Sequence, residues 1–247
     1  MSEIVECTRG SINPIDGIRT LWYKFNQFKA DPTFFEPDGI WVFCGAQGSG
    51  KTLSAIQTLK TMVERYPFAR VFSNMEINGL PVEVEPFVRY EQLQEVDNGT
   101  QGVIFFIDEI HLLWNSLESK EIPFSEMASF CQMRKARRCI LGTTQVYGRV
   151  AKPIREQLKY VINCRNIGGF FQINDVCDPA NSIEIEGQIS PDVVKVQCWF
   201  HKPELYQMYE TLGIIKRIDR DKSNKKVVSW KNSPSRSSNQ SWQLPSQ

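Results

Sequence analysis

Hydrophobic and polar positions follow two periods along the chain. Near the start, IDGIRTLWYKFNQF sets Ile15, Ile18, Leu21, Trp22, Phe25 and Phe28 at intervals of three and four, which is one face of an amphipathic helix. DPTFFEPDG then ends the pattern with two prolines and a glycine. The stripe predicts a helix that caps the core, although an aromatic-rich face of this kind also suits a clamp on a neighbouring subunit. From Gly39 onward, short apolar runs alternate with longer amphipathic stretches. IWVFC predicts a first strand, ARVFSN a second, GVIFFID a third, RCILGTT a fourth and LKYVINCR a fifth. Between the first two, LSAIQTLKTMVERY predicts a helix burying Leu53, Ile56, Leu59, Met62 and Val63. SEMASFCQMRKARR predicts another between the third and fourth strands. A run such as VIFFI, apolar on both faces, suits the middle of a sheet covered on both sides. The expected fold is therefore a three-layer α/β core over residues 39–215, preceded by a helical arm over residues 1–38. Beyond Gly168, FFQIND, SIEIEG and VVKVQCWF predict further strands as an antiparallel C-terminal β extension.

Composition narrows this picture without redirecting it. The 247 residues are 41% hydrophobic and 23% charged, an ordinary balance for one domain with appendages. No stretch approaches the roughly 18 apolar residues of a membrane span, and MSEIVECTRG lacks the features of a signal peptide, so a cytoplasmic protein is expected, in the host cytoplasm if viral. Seven cysteines form no CxxC pair and have two histidines for company, which argues against zinc spacing and a disulfide framework. Net charge is +1, but unevenly spread. Residues 216–247 carry eight basic and two acidic side chains in a Ser-, Asn- and Gln-rich background, so a basic tail without its own core is expected there. Such a tail is either a solvated end or a nucleic-acid contact.

The chemistry concentrates in a few short stretches. GAQGSGKT, residues 45–52, joins the first strand to the first core helix and fits the pattern GxxxxGK(S/T), which chance would place in a chain of this length about one time in a hundred. A glycine-rich turn there aims backbone N–H groups at a single point, where the positive end of the helix dipole also lies. Triphosphate fits that cradle, formed by Gly45, Ala46, Gln47, Gly48, Ser49, Gly50, Lys51, Thr52 and Leu53. Lys51 would reach the β and γ phosphates and the Thr52 hydroxyl would hold Mg²⁺. At the end of VIFFIDEIH, Asp108 would orient the magnesium water shell, and Glu109 would align a water for attack on the γ phosphate. Gln145 closes GTTQ at the end of the fourth strand, where its amide can sense the γ phosphate or the water. His111 is expected to pack locally. Arg134, Arg137, Arg138 and Arg155 adjoin the site, and one such cation supplied by a neighbouring subunit would favour phosphoryl transfer.

Together these stretches resemble the zonular occludens toxin-like (Zot-like) phage ATPases of the FtsK/HerA group of P-loop motors. The likeness rests on GAQGSGKT, VFSN followed by GLP, IDEIH, QMRKARR, ILGTTQ, PIREQ and FHKPELYQMYET, in that order over residues 40–211. The resemblance implies a P-loop NTPase core of the ASCE type with parallel sheet order 5-1-4-3-2, and a homo-oligomer, usually a hexameric ring, with ATP held between neighbours. It implies Lys51 and Thr52 at phosphate and Mg²⁺, Asp108 at the metal, Glu109 at the water, Gln145 as sensor, and Arg155 or Arg134 as the arginine reaching across from a neighbour. One departure stands out: filamentous-phage members carry a membrane segment after the ATPase domain, and this chain shows a basic tail instead. That moves the expectation toward viral genome-packaging ATPases that translocate DNA. The alternative is a phage assembly or secretion ATPase acting on protein, with a viral capsid or assembly protein as partner and no nucleic acid.

Overall fold

The continuous apolar runs assemble into one sheet. The computed structural model describes residues 14–30, 33–117, 130–179, 183–185, 188–190 and 192–209. The strands are β1 (Gly39–Cys44), β2 (Arg70–Ser73), β3 (Val84–Pro86), β4 (Val103–Ile107), β5 (Arg138–Thr144), β6 (Leu158–Ile167), β7 (Phe171–Cys177), β8 (Ile183–Ile185), β9 (Gln188–Ser190) and β10 (Val193–Phe200). The helices are α1 (Pro14–Ala30), α2 (Lys51–Arg65), α3 (Gln92–Glu95), α4 (Lys152–Arg155) and α5 (Pro203–Gln207). The main sheet has eight strands in the order β10-β7-β6-β1-β5-β4-β2-β3. Its middle, β6-β1-β5-β4-β2, is parallel throughout and is the expected 5-1-4-3-2 arrangement, with the GTTQ strand between the loop-bearing strand and the IDEIH strand.

Side-chain alternation along β4 explains the layering. Ile104 and Phe106 point to one face, where they meet Leu53, Ile56, Leu59, Met62 and Val63 of α2. Val103, Phe105 and Ile107 point to the other, against Trp114, Phe130, Met133 and Ile154. All five β4 residues are buried, as a strand covered on both sides must be. The second covering layer differs from expectation. Of the predicted helix over residues 125–138, 125–129 lie outside the described residues, 130–131 are helical and 132–137 form turns. Arg137 takes a left-handed conformation at φ 52, and Arg138 N–H donates to Met133 O at 3.0 Å. This closure ends the helical turn and releases Arg138 to begin β5.

At one edge a short strand, β3, extends the parallel pairing beside β2, which the sequence pattern did not anticipate. At the other, β7 pairs antiparallel with β6 and β10 antiparallel with β7, giving the expected extension. SIEIEG does form strand β8, but in a separate two-stranded sheet with β9. The basic stretch 216–247 lies outside the described residues.

The N-terminal helix forms where its period placed it, yet it does not cap the core. Ile18, Leu21 and Trp22 are 68%, 70% and 69% exposed, and no described residue of α1 joins either apolar cluster. The reason lies in the linker. Phe35, fully buried, packs edge-on against Tyr66 and over Gly102, where any Cβ would collide with its ring, so this part of the core is closed before α1 can reach it. Among the described residues no helix is long and apolar enough to cross a membrane.

Candidate active site

Parallel strands deliver their C-terminal ends to one rim, and the chemistry-bearing segments gather there. Residues 45–50 leave β1 and turn into α2, whose N-cap is Gly50 at φ 80 with no side-chain cap. The first N–H groups of a 15-residue helix therefore remain available as donors at the loop. Lys51, 8% exposed, folds back so that Nζ donates to Ala46 O at 3.0 Å. A buried ammonium satisfied by a carbonyl, beside a helix N-terminus, is a site that still calls for an anion.

Asp108 follows β4 directly. Its Oδ1 accepts from Thr52 Oγ1 at 3.1 Å and from Thr143 Oγ1 at 2.7 Å. Burial pushes its pKa up, the two hydroxyl donors pull it down, Glu109 adds to the rise and Lys51 opposes it. The backbone is held too: Asp108 N–H donates to Asn74 Oδ1 at 2.8 Å and Asn74 Nδ2 donates to Asp108 O at 2.9 Å. Asn74, 3% exposed, thus locks the end of VFSN to the start of DEIH. Thr52 and Asp108 form an oxygen pair suited to a hard cation whose remaining ligands are phosphate and water. Among the described residues no larger cluster of His, Cys, Asp or Glu offers a metal site.

Glu109 sits in the left-handed region at φ 53 and ψ 56, with its N–H donating to Thr143 Oγ1 at 2.9 Å. The turn swings its side chain back over the rim, where Oε1 accepts from Gln145 Nε2 at 3.2 Å. Oε2 lies 3.1 Å from His111 Nδ1, yet it is buried and makes no hydrogen bond. A buried carboxylate oxygen with free acceptor capacity is where a water can be held and relieved of a proton. His111 therefore does more than pack: it touches Glu109 and comes within 3.3 Å of Thr144 Oγ1. Burial lowers its pKa, Glu109 opposes this, and Arg149 lowers it further, so the ring is neutral at pH 7.

The structure brings Lys51, Thr52, Asp108, Glu109 and Gln145 together and leaves Arg134 apart. Arg134, exposed, lies in the turn before β5, and β5 runs parallel to β1. Seven residues of strand therefore separate it from the rim, about 20 Å at roughly 3.3 Å per residue. Arg155 ends α4 in the connection from β5 to β6, where Nη1 donates to Gly148 O at 3.2 Å and the guanidinium stands 5.2 Å from the centre of the Tyr147 ring, both partners lying two to three residues past Gln145. Sequence alone does not single out Asn74, Thr143 or Arg149. The available signals were faint: an Asn ending one strand, and the first Thr of GTTQ two residues ahead of the Gln.

Residues 41–166 match the family model described as "ATPase family associated with various cellular activities (AAA)". No curated protein sequence matches the chain significantly. Among solved structures, the N-terminal domain of zonular occludens toxin from Neisseria meningitidis is similar with a TM-score of 0.50 at 14% identity, covering 70% of this chain and 98% of that one. The genome packaging NTPase B204 from Sulfolobus turreted icosahedral virus 2, in complex with ATP-gammaS, is similar with a TM-score of 0.46 at 12% identity, covering 68% and 98%. At such identities the likeness to the toxin domain is one of fold.

Proposed function

Because the chain belongs to the ATPase family associated with various cellular activities, we propose that it is a Mg²⁺-dependent, ATP-hydrolysing DNA translocase of the FtsK/HerA type, serving viral genome packaging. The observation that carries the reading is the buried Oε2 of Glu109, 3.1 Å from His111 Nδ1 and accepting no hydrogen bond, beside the Asp108 and Thr52 pair. A nucleotide switch needs the cradle but has no use for a buried carboxylate ready to take a proton; a motor that turns over does.

In this reading ATP lies along the loop, with its phosphates on the N–H groups of residues 46–52 other than Ser49, whose N–H donates to Ala46 O at 3.1 Å. Lys51 exchanges Ala46 O for the β and γ phosphates. Thr52 and Asp108 hold Mg²⁺, which when bound neutralises charge on those oxygens. Glu109 accepts the proton of the attacking water at Oε2, while Gln145 steadies the other carboxylate oxygen and Thr143 fixes the turn that carries both acids. Copies assemble as a hexameric ring, in which Arg155 or Arg134 serves a neighbour's phosphate. The excess positive charge of residues 216–247 and the order of motifs support DNA as the substrate.

A second reading, an assembly or secretion ATPase acting on protein, is favoured by one observation: the exposed Ile18, Leu21 and Trp22 of α1 form an apolar surface suited to a protein partner. ATP turnover titrated with duplex DNA at several salt concentrations separates the two. The translocase reading expects stimulation that weakens as salt rises and that falls when residues 216–247 are deleted. Turnover indifferent to DNA and salt would overturn it in favour of the protein-directed reading.

A further inference from the structure

We infer that the antiparallel extension positions the phosphate loop by gripping its carbonyl side, with Gln172 of β7 as the principal positioning residue. Its kinetic consequence rests on the ATPase reading; the grip itself rests on geometry. Three carbonyl oxygens of the loop are taken by side chains. Ala46 O accepts from Lys51 Nζ at 3.0 Å, Gly48 O from Asn166 Nδ2 at 3.4 Å, and Ser49 O from Gln172 Nε2 at 3.0 Å. Two of these donors, Asn166 and Gln172, belong to β6 and β7 rather than to the loop or its helix. With Gly48 O and Ser49 O tied outward, and Ser49 N–H donating to Ala46 O at 3.1 Å, the other loop N–H groups are kept for the ligand side, which is the arrangement an anion cradle needs.

Gln172 is itself held from several directions. Its side chain is fully buried. Nε2 also donates to Asn174 Oδ1 at 3.0 Å, and that oxygen accepts from Ser54 Oγ at 3.1 Å, in the first turn of α2. On the other side Oε1 lies 3.2 Å from Nε2 of His201, which follows β10. His201 Nδ1 meets Tyr206 OH of α5, and Tyr206 OH donates to Gly169 O at 3.1 Å in the β6–β7 turn. This network fixes the amide with nitrogen toward Ser49 and oxygen toward His201. Gly50 completes the fit: any Cβ there would collide with Gln172 Oε1, so the loop and the amide are shaped to each other. The extension thus acts on ATP only through the loop, by holding the cradle in its binding shape before the nucleotide arrives and reducing the ordering cost of binding.

The test uses the full chain and three variants. Gln172→Glu keeps the shape but removes the donor. Gln172→Met keeps the approximate volume and removes both polar ends. Asn166→Ala removes the neighbouring, longer bond. Thermal melts establish folding, steady-state ATP turnover separates KM from kcat, and hydrogen exchange of the 45–52 segment is read without nucleotide. Both Gln172 variants should raise KM about tenfold, the scale of one buried hydrogen bond, with kcat changed less than about threefold. Asn166→Ala should raise KM about two- to threefold through its weaker bond. Loop exchange should quicken in the same order. Folded variants with unchanged KM and unchanged loop exchange would overturn the grip, as would a loss confined to kcat. If the Gln172 variants do not fold, Asn166→Ala decides by the same two readouts. Should the unaltered chain fail to hydrolyse ATP, the ATPase reading falls, and the nucleotide-free exchange still passes judgement on the grip.

Discussion

The two halves of the main sheet are built on different rules. In the parallel half, β4 is buried along its whole length and β5 over all but its first residue, because α2 covers one face and the 110–117 and 130–155 segments the other. In the antiparallel extension only alternate residues turn inward. Along β10 the pattern is mostly exposed, with Val194, Val196 and Phe200 61%, 54% and 67% exposed. The inward positions of β7 include Gln172 and Asn174, polar groups that reach the phosphate loop. One half supplies rigidity and the rim that carries Lys51, Asp108 and Glu109; the other supplies polar contacts to the back of that rim. Continuous burial thus marks where the chemistry is mounted, and inward-facing amides in a half-covered strand mark where it is steadied.

The largest expected contrast lies at the rim. Lys51→Ala should weaken ATP binding by more than about 100-fold, since it removes a buried cation from phosphate. Glu109→Gln should bind ATP as before and hydrolyse it about 100-fold more slowly or worse, because the amide cannot take the water's proton. Equilibrium binding beside single-turnover hydrolysis checks both, and a Glu109→Gln chain with full turnover would remove the chemistry from this half of the sheet.

Stability should divide along the same line. Phe105→Ala, in the fully buried strand, should cost about 3–5 kcal/mol in denaturant unfolding. Val196→Ala, on the uncovered face of β10, should change stability by less than about 0.5 kcal/mol. Equal losses at the two positions would mean that the extension's outer face is covered in solution.

The smallest effect tests whether the rim is tuned for chemistry at the expense of stability. Burial raises the pKa of Asp108, so its carboxyl supports folding below the unfolded pKa and forfeits that support as pH rises through the folded value. Asp108→Asn keeps an acceptor for Thr52 and Thr143. It should therefore raise the melting temperature of the nucleotide-free chain modestly at pH 7, with the gain shrinking toward about pH 4. A variant that melts lower at pH 7 would show that the charge contributes through contacts rather than costing burial.

Much of the parallel half was legible because its signals are local. VIFFI, RCILGTT and IWVFC are each apolar on both faces, and the loop and acid motifs occupy fixed offsets from strand ends, so strand identity and the rim residues Lys51, Thr52, Asp108 and Glu109 followed from the text. Their assembly at one rim follows from parallel pairing. What escaped depends on packing. The apolar stripe of α1 indicates a surface to be covered without saying by what, and Phe35 already closes that part of the core. Residues 132–137 of the predicted 125–138 helix form turns where the chain reverses into β5, and Arg137 carries the conformational cost. Gln172 and Asn174 do show a period-two polar pattern within FFQIND, but only the fold reveals that their shared face looks at the phosphate loop. Arg134 adjoins the motifs in sequence and lies a strand's length from the rim in space.

The backbone of Glu109 has an evolutionary consequence. A residue with a Cβ held at φ 53 costs on the order of 1 kcal/mol relative to one at ease there, and glycine or asparagine would relieve that cost. A library randomised at this codon and selected for heat resistance alone should drift toward those two amino acids, while the same library selected for fuel consumption should restore the acid. The divergence between the two populations would measure how much foldability the chain gives up for its chemistry.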